Sequence, residues 1–299
     1  MSEETPGAGG WFDGIDPGDR DAAVMAIRNG RRDRPERWPA VAVESGVVDA
    51  EDDYYDWLHE TAIEATRRAV IEREQADDQQ LIHAVRAMDD CRRTANELAE
   101  RLSEWAGTID ADGGTGVEYA RAIADGETDV TDGAIRSLAT RVVDLRAEGD
   151  ALETTIEANA PSIAPNLSAL AGPVLAARLI SLAGGLESLA KLPSGTVQVL
   201  GAEDALFAHL RGRAPSPKHG VIYTHEAVHG TPPENRGSAA RALAGKLTIA
   251  ARVDHYGGDR RPELDEELAE RIATIQGRTD GTNSGAESDE RRPDGETNE

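Results

Sequence analysis

Two long stretches of the chain repeat apolar residues at helical spacing. Leu81, Val85, Met88, Cys91, Ala95, Leu98, Leu102 and Trp105 follow steps of 4, 3, 3, 4, 3, 4 and 3, with Glu, Asp and Arg between them. Ile135, Leu138, Val142, Leu145, Gly149, Leu152 and Ile156 repeat the pattern in alternating steps of 3 and 4, interrupted chemically at Gly149. Such spacing is the a/d seam of paired helices. The seams are joined by a shorter segment that opens with a Gly- and Asp-rich loop at 107–115. This predicts a long antiparallel coiled-coil hairpin over residues 51–159.

The flanking segments read differently. Residues 1–10 are small, polar and Gly-rich, the composition of a disordered end. Residues 11–50 hold a helix-like run near Arg20–Asn29 and a strand-like VAVESGVV after Pro39, which predicts a short α/β remnant. Forty residues are too few for a robust core of their own. Trp11, Phe12 and Trp38 fit either that small core or the anchors of a protein interface. After the second seam, Pro161 and Pro165 end the helix. Gly172–Pro173, Gly184–Gly185, Pro193, Gly201, Pro215, Pro217, Gly230, Pro232–Pro233 and Gly257–Gly258 then punctuate the chain. Short helices between such breakers predict an all-α domain over 160–261. Residues 262–299 read as a terminal helix and a disordered acidic tail. The fold class expected is therefore mainly α.

Charge refines this picture. The 299 residues carry 32 basic and 56 acidic side chains, a net charge of -24, and lysine occurs only at Lys191, Lys218 and Lys246. Abundant Asp and Glu with scarce Lys is the composition of proteins from saturated salt, where an acidic solvated surface maintains solubility. Yet residues 160–261 carry 11 basic against 7 acidic residues, a net of +4, while the rest of the chain carries -28. A segment that stays basic against that pressure either meets a polyanion or is simply more buried. With the single cysteine Cys91, no intramolecular disulfide can form. The N-terminus lacks a secretory pattern, and no apolar run approaches a membrane span. A soluble, cytoplasmic protein with no membrane partner is expected.

Three segments carry a family resemblance: RLISLAGGLESLAKLPSGTVQVLGAE, the PKHGVIY turn and RGSAARALAGKLTIAARVD, all within residues 172–256. They closely resemble the Nop domain shared by box C/D ribonucleoprotein scaffolds of archaea and eukaryotes and by a spliceosomal pre-mRNA-processing factor. LIHAVRAMDDCRRTANELAERLSEW, residues 81–105, resembles the first coiled-coil helix of the same family. The resemblance implies a non-catalytic scaffold without a cofactor, and the halophile-like composition points to a haloarchaeal source. Its Nop domain would dock on a kink-turn guide RNA and a ribosomal-protein-like subunit bound to it. It further implies a homodimer through the coiled coil. The N-terminal domain would recruit fibrillarin, the S-adenosylmethionine-dependent enzyme of RNA 2′-O-methylation. That domain is usually much larger than the piece present here.

The residues themselves are compatible with RNA binding. Gly201, Ala202 and Glu203 open a helix whose start would expose free backbone N–H groups, a natural phosphate site. Arg211, Arg213, Lys218 and His219 follow in a Pro-rich loop that could grip a bent RNA backbone. Arg236, Arg241, Lys246 and Arg252 lie in a later helical run, available either to RNA or to internal pairs with Asp254 or Glu226. Against the family pattern, Asp204, Ala208 and Ser238 each replace a usual cation, which puts individual phosphate contacts in doubt. Two rival classes remain open. His219, His225 and His229 could suggest a metal site, but no Cys is near and no HExxH surrounds them, so no metal is expected. A coiled-coil adaptor explains residues 52–159 but not the retained positive charge. Within the family, a splicing role is the alternative to methylation.

Overall fold

Asp19 accepts a hydrogen bond from the Ala22 amide at 3.0 Å and so caps the first helix, α1 (Arg20–Asn29). The computed structural model describes residues 10–16, 18–30, 37–111 and 113–277, among which there is no β-strand. The predicted disordered ends fall almost wholly outside these residues. The chain divides into a unit ending at Ala76 and a unit beginning at Asp77.

In the first unit, the strand expected after Pro39 is instead α2 (Trp38–Glu44), with Pro39 in its first turn. Proline has the fixed φ that a helix start needs. A lone strand would leave its backbone groups unpaired, whereas a helix satisfies them locally. The remnant is therefore all-helical, not α/β. The third helix, α3 (Glu51–Glu74), packs on α1 and α2, so the coiled-coil hairpin begins at Asp77 and not near residue 51. Phe12, Ala42 and Tyr54 are buried together, with Trp11, Trp38 and Trp57 packed around them. Trp11 stacks on Trp57 with ring centroids 4.7 Å apart and donates Nε1–H to Tyr54 Oη at 3.1 Å. Trp11, Phe12 and Trp38 thus form the small core. Arg28 fixes α1 to α3 through two hydrogen bonds to Glu72, at 2.7 and 2.5 Å.

The second unit opens with the hairpin. Helix α4 (Asp77–Ala106) and helix α6 (Gly133–Ile163) pair along their length, and α5 (Gly116–Asp125) lies against both. The buried face of α4 follows the predicted seam at Leu81, Val85, Met88, Ala95 and Leu102. Farther out, Ala99 and Ala106 are buried in place of the predicted Leu98 and Trp105, leaving Leu98 partly buried and Trp105 46% exposed. Leu81, Val85, Met88, Ala95, Ala99, Leu102 and Ala106 fit one unbroken heptad register, which the predicted seam left at its irregular step of 3 to Cys91. Here α5 covers the outer part of that face with Tyr119, Ala120 and Ile123. Gly149 has a packing reason. A Cβ there would lie 3.0 Å from Arg92 Cγ, and Arg92 crosses at this point to Asp150 and Glu153 at 2.9 and 2.6 Å.

Beyond Ile163 the predicted short helices follow: α7 (Pro165–Ala171), α8 (Pro173–Ala183), α9 (Leu186–Lys191), α10 (Ser194–Val199) and α11 (Glu203–Leu210). A 3-10 turn at Val221–Thr224 leads to α12 (Glu226–His229), α13 (Arg236–Tyr256) and α14 (Glu263–Gln276). Ala239, Ala240, Leu243, Ala244, Leu247, Ala250 and Ala251 bury one broad face of α13, against which α7, α9, α10, α12 and α14 pack. Small side chains allow such close helix approach.

Ala164, the residue before α7, has no side chain able to cap it. Asp254 of α13 takes that role, accepting from the Asn166 and Leu167 amides at 3.0 and 2.8 Å. Asn166, fully buried, also donates Nδ2–H to Asp254 and to the Asp259 carbonyl, and accepts the Arg261 amide at 2.6 Å. The turn into α14 is thereby tied to α7.

Candidate nucleic-acid interface

Gly220 positions the basic loop. A Cβ there would sit 2.0 Å from the Leu200 carbonyl oxygen, so only glycine permits the approach. The Gly220 amide donates to the Gln198 carbonyl at 2.8 Å and Val221 to Leu200 at 2.7 Å. Gln198 Nε2 donates to the Lys218 carbonyl at 2.7 Å. At the other end, Arg213 donates its amide to Ala208, and His209 Nδ1 lies 3.0 Å from the Ala214 carbonyl. The loop is thus held by its backbone while Arg211, Arg213 and Lys218 stay exposed, with no ion pair among the described residues.

The helix start departs from expectation. Gly201 adopts φ +82°, its amide donates to Glu203 Oε1 at 2.8 Å, and the Ala202 amide donates to Val199. Neither N–H is free. The Glu203 carboxylate closes the turn ahead of α11, which begins only at that residue, with two carboxylates in its first turn. Those charges suit the helix dipole but oppose a phosphate at the same place.

What the helix presents instead is apolar. No residue of α11 is buried, and Phe207 and Leu210 are 56% and 71% exposed. These were not singled out from the sequence. Their signal was an eight-residue helix whose large apolar side chains match no covering partner. Tyr223 was missed too. Its ring stacks on His219 with centroids 4.6 Å apart, and the Arg236 guanidinium lies 5.6 Å from its centroid. Burial, reinforced by the Arg236 charge, pushes His219 below the ordinary imidazole value. At neutral pH His219 therefore offers a flat uncharged ring rather than a cation.

The later basic residues divide. Arg236 donates Nε–H to the Thr231 carbonyl at 3.0 Å and a second N–H to the His229 carbonyl at 3.2 Å. Lys246 pairs with Glu267 of α14. Arg252 donates to the Ala190 carbonyl at 3.0 Å. These three pin helices to one another, through partners other than Asp254 or Glu226. Arg241 is exposed without a partner among the described residues. His225 accepts from the Ala227 amide through Nδ1 and sets Nε2 2.9 Å from the Leu170 carbonyl, capping α12. No group of three His, Cys, Asp or Glu residues that could hold a metal occurs among the described residues.

Similarity to known proteins agrees with this architecture. The Nop family, described as snoRNA binding domain, fibrillarin, matches residues 126–275, half of the chain. An uncharacterized NOP5 family protein of Methanocaldococcus jannaschii is 36% identical over 274 residues, covering 79% of this chain and 66% of that protein. Nucleolar protein 58 of Scheffersomyces stipitis is 31% identical, over 67% of this chain and 48% of its own length. Nucleolar protein 56 of Mus musculus is 40% identical over 46% of this chain and 24% of its own. The chain thus spans just under two thirds of the first of these relatives and half or less of the nucleolar ones. A chain in the crystal structure of a fibrillarin/Nop5p complex superposes with a TM-score of 0.52 at 25% identity, covering 86% of this chain and 91% of that one. The helical hairpin, the short-helix domain built on α13 and the sequence match across both show that this chain belongs to the Nop family.

Proposed function

We propose that the chain is a scaffold of a box C/D guide-RNA particle. Its C-terminal domain docks on a kink-turn RNA and a ribosomal-protein-like subunit already seated there. The observation that carries this is the surface mixing cations with apolar groups: Arg211, Arg213 and Lys218 free on a backbone-pinned loop, beside exposed Phe207 and Leu210. A bare phosphate strand needs the cations alone, whereas a protein–RNA composite needs both. In strong salt the electrostatic part of binding weakens, so the apolar part gains weight.

Fibrillarin is the methyltransferase in this reading, and the chain supplies position rather than chemistry. The unit ending at Ala76 is its dock, which the similarity to a chain of the fibrillarin/Nop5p complex supports. With Phe12 buried and Trp11 and Trp38 packed around it, the contact falls to exposed apolar positions of α3 such as Ile63 and Val70. The outer end of the hairpin, where Trp105 and Ile109 are exposed, pairs two copies. The acidic, lysine-poor composition supports a haloarchaeal setting, and the single cysteine a cytoplasmic one.

A mobility-shift assay in molar KCl tests the docking. The chain should shift kink-turn RNA only when the ribosomal-protein-like subunit is present. Equal binding to naked RNA would overturn the composite surface. No binding in either case would leave the coiled-coil adaptor reading.

A further inference from the structure

Helix α4 carries four arginines, and three are ion-paired. Arg92 meets Asp150 and Glu153, Arg93 meets Asp90 at 2.6 Å, and Arg101 meets Glu104 at 3.0 Å. Arg86 is exposed and has no partner among the described residues. On a helix its natural carboxylates lie three and four residues ahead, at Asp89 and Asp90. Both are engaged elsewhere: Asp89 holds Arg178 of α8, and Asp90 holds Arg93. Within α4, Arg86 is thus the arginine left without a neutralising group, because its two local carboxylates are drawn away.

Arg86 also lines a groove. A cavity of about 640 Å³ lies between α4, α8 and the loops at Gly201 and Gly220, with Arg86, Asp89, Arg178 and Leu182 on its walls. Gly201 and Gly220 bracket α11 and the basic loop, so the groove is continuous with the candidate interface. Leu182, 46% exposed, gives it an apolar wall suited to a ribose or base edge. Arg178, half-buried and neutralised by Asp89, shapes the groove without adding net charge.

We propose that this groove receives the backbone of bound RNA as it leaves the docking surface, with Arg86 donating to a phosphate. The inference rests on the proposed RNA-docking role and extends it from the C-terminal domain onto the hairpin. Arginine suits the task because its planar donors match a phosphate in two-point geometry.

The test uses the full chain and fluorescein-labelled kink-turn RNA preloaded with the ribosomal-protein-like subunit, titrated by anisotropy across a KCl series. Arg86→Gln is compared with Arg101→Gln, which removes the same charge from the same helix outside the groove. Arg86→Gln should weaken binding about ten-fold at the lowest salt, the equivalent of one charge-assisted contact. The slope of log affinity against log salt should fall by ~0.7–0.9. Arg101→Gln should overlay the wild type. If the two variants behave alike while the wild type binds, the groove proposal fails and the docking reading stands. Lost affinity with an unchanged salt slope would place protein, not RNA, in the groove and also overturn it. Failure of the wild type to bind would overturn both.

Discussion

Removing the carboxylate of Asp254 should unfasten the C-terminal domain. That side chain accepts three hydrogen bonds: from the Asn166 amide, from Asn166 Nδ2 at 2.7 Å and from the Leu167 amide at 2.8 Å. Two of these amides are first-turn groups of α7, for which Ala164 provides no alternative acceptor. Each charge-assisted bond is worth roughly 1.5–3 kcal/mol when its partner is left unsatisfied. The three share one carboxylate and do not add, and water partly reaches Asp254, so the combined loss for Asp254→Ala is about 3–5 kcal/mol. Asp254→Asn keeps one acceptor oxygen but sets an NH₂ group against the other donors, and should lose about 1–3 kcal/mol. Urea unfolding of the full chain, followed by far-UV dichroism in molar KCl, reads both variants. With a slope of about 2 kcal/mol per molar urea, the midpoint for Asp254→Ala should fall by ~1.5–2.5 M. A fall below about 0.3 M, or equal effects from the two substitutions, would refute the assignment of Asp254 as the cap of α7.

Other outcomes follow from the same geometry. Gly220→Ala forces a Cβ onto the Leu200 carbonyl, so it should cost about 1–3 kcal/mol and weaken RNP docking. Thermal melts and mobility shifts of that variant check both. Burial holds His225 below the ordinary imidazole value of 6.5, and in the neutral form its Nδ1 accepts the Ala227 amide. Its neutral-form stability is therefore present above 6.5 and is lost as pH falls through the depressed folded value, because the unfolded chain binds the proton first. Melting temperature measured from pH 7 to pH 5 should fall less steeply for His225→Asn than for the wild type; parallel curves would contradict this. Replacing Arg211 and Arg213 together by Gln should lower the salt slope of RNP binding by ~1.4–1.8 without moving the melting temperature. Ile63→Asp with Val70→Asp should abolish co-purification with fibrillarin while leaving RNA docking intact.

The hairpin seams and the broken helices after Pro165 were legible because periodicity and breakers are local properties. The burial of Ala99 and Ala106 in place of Leu98 and Trp105 was not, since it depends on which face of α4 meets α5. VAVESGVV misled because its β-branched run suggests a strand, and only the lack of a partner strand makes a helix the better solution. At the candidate site, the charges were visible but their partners were not. Lys246 and Glu267 lie on helices far apart in the chain, and Arg252 meets a carbonyl, which no spacing rule anticipates. The free N–H groups expected at Gly201 and Ala202 were claimed by Glu203 and Val199, a detail of turn geometry. Phe207, Leu210 and Tyr223 emerged only once their exposure was known.

Ultraviolet cross-linking of the full chain to a kink-turn RNA carrying its ribosomal-protein-like subunit, with adducts mapped by mass spectrometry, addresses the docking surface most directly. The account predicts adducts within residues 207–223, foremost at His219 and Tyr223, that disappear when the subunit is omitted. Adducts confined to the outer end of the hairpin, or unchanged without the subunit, would contradict it.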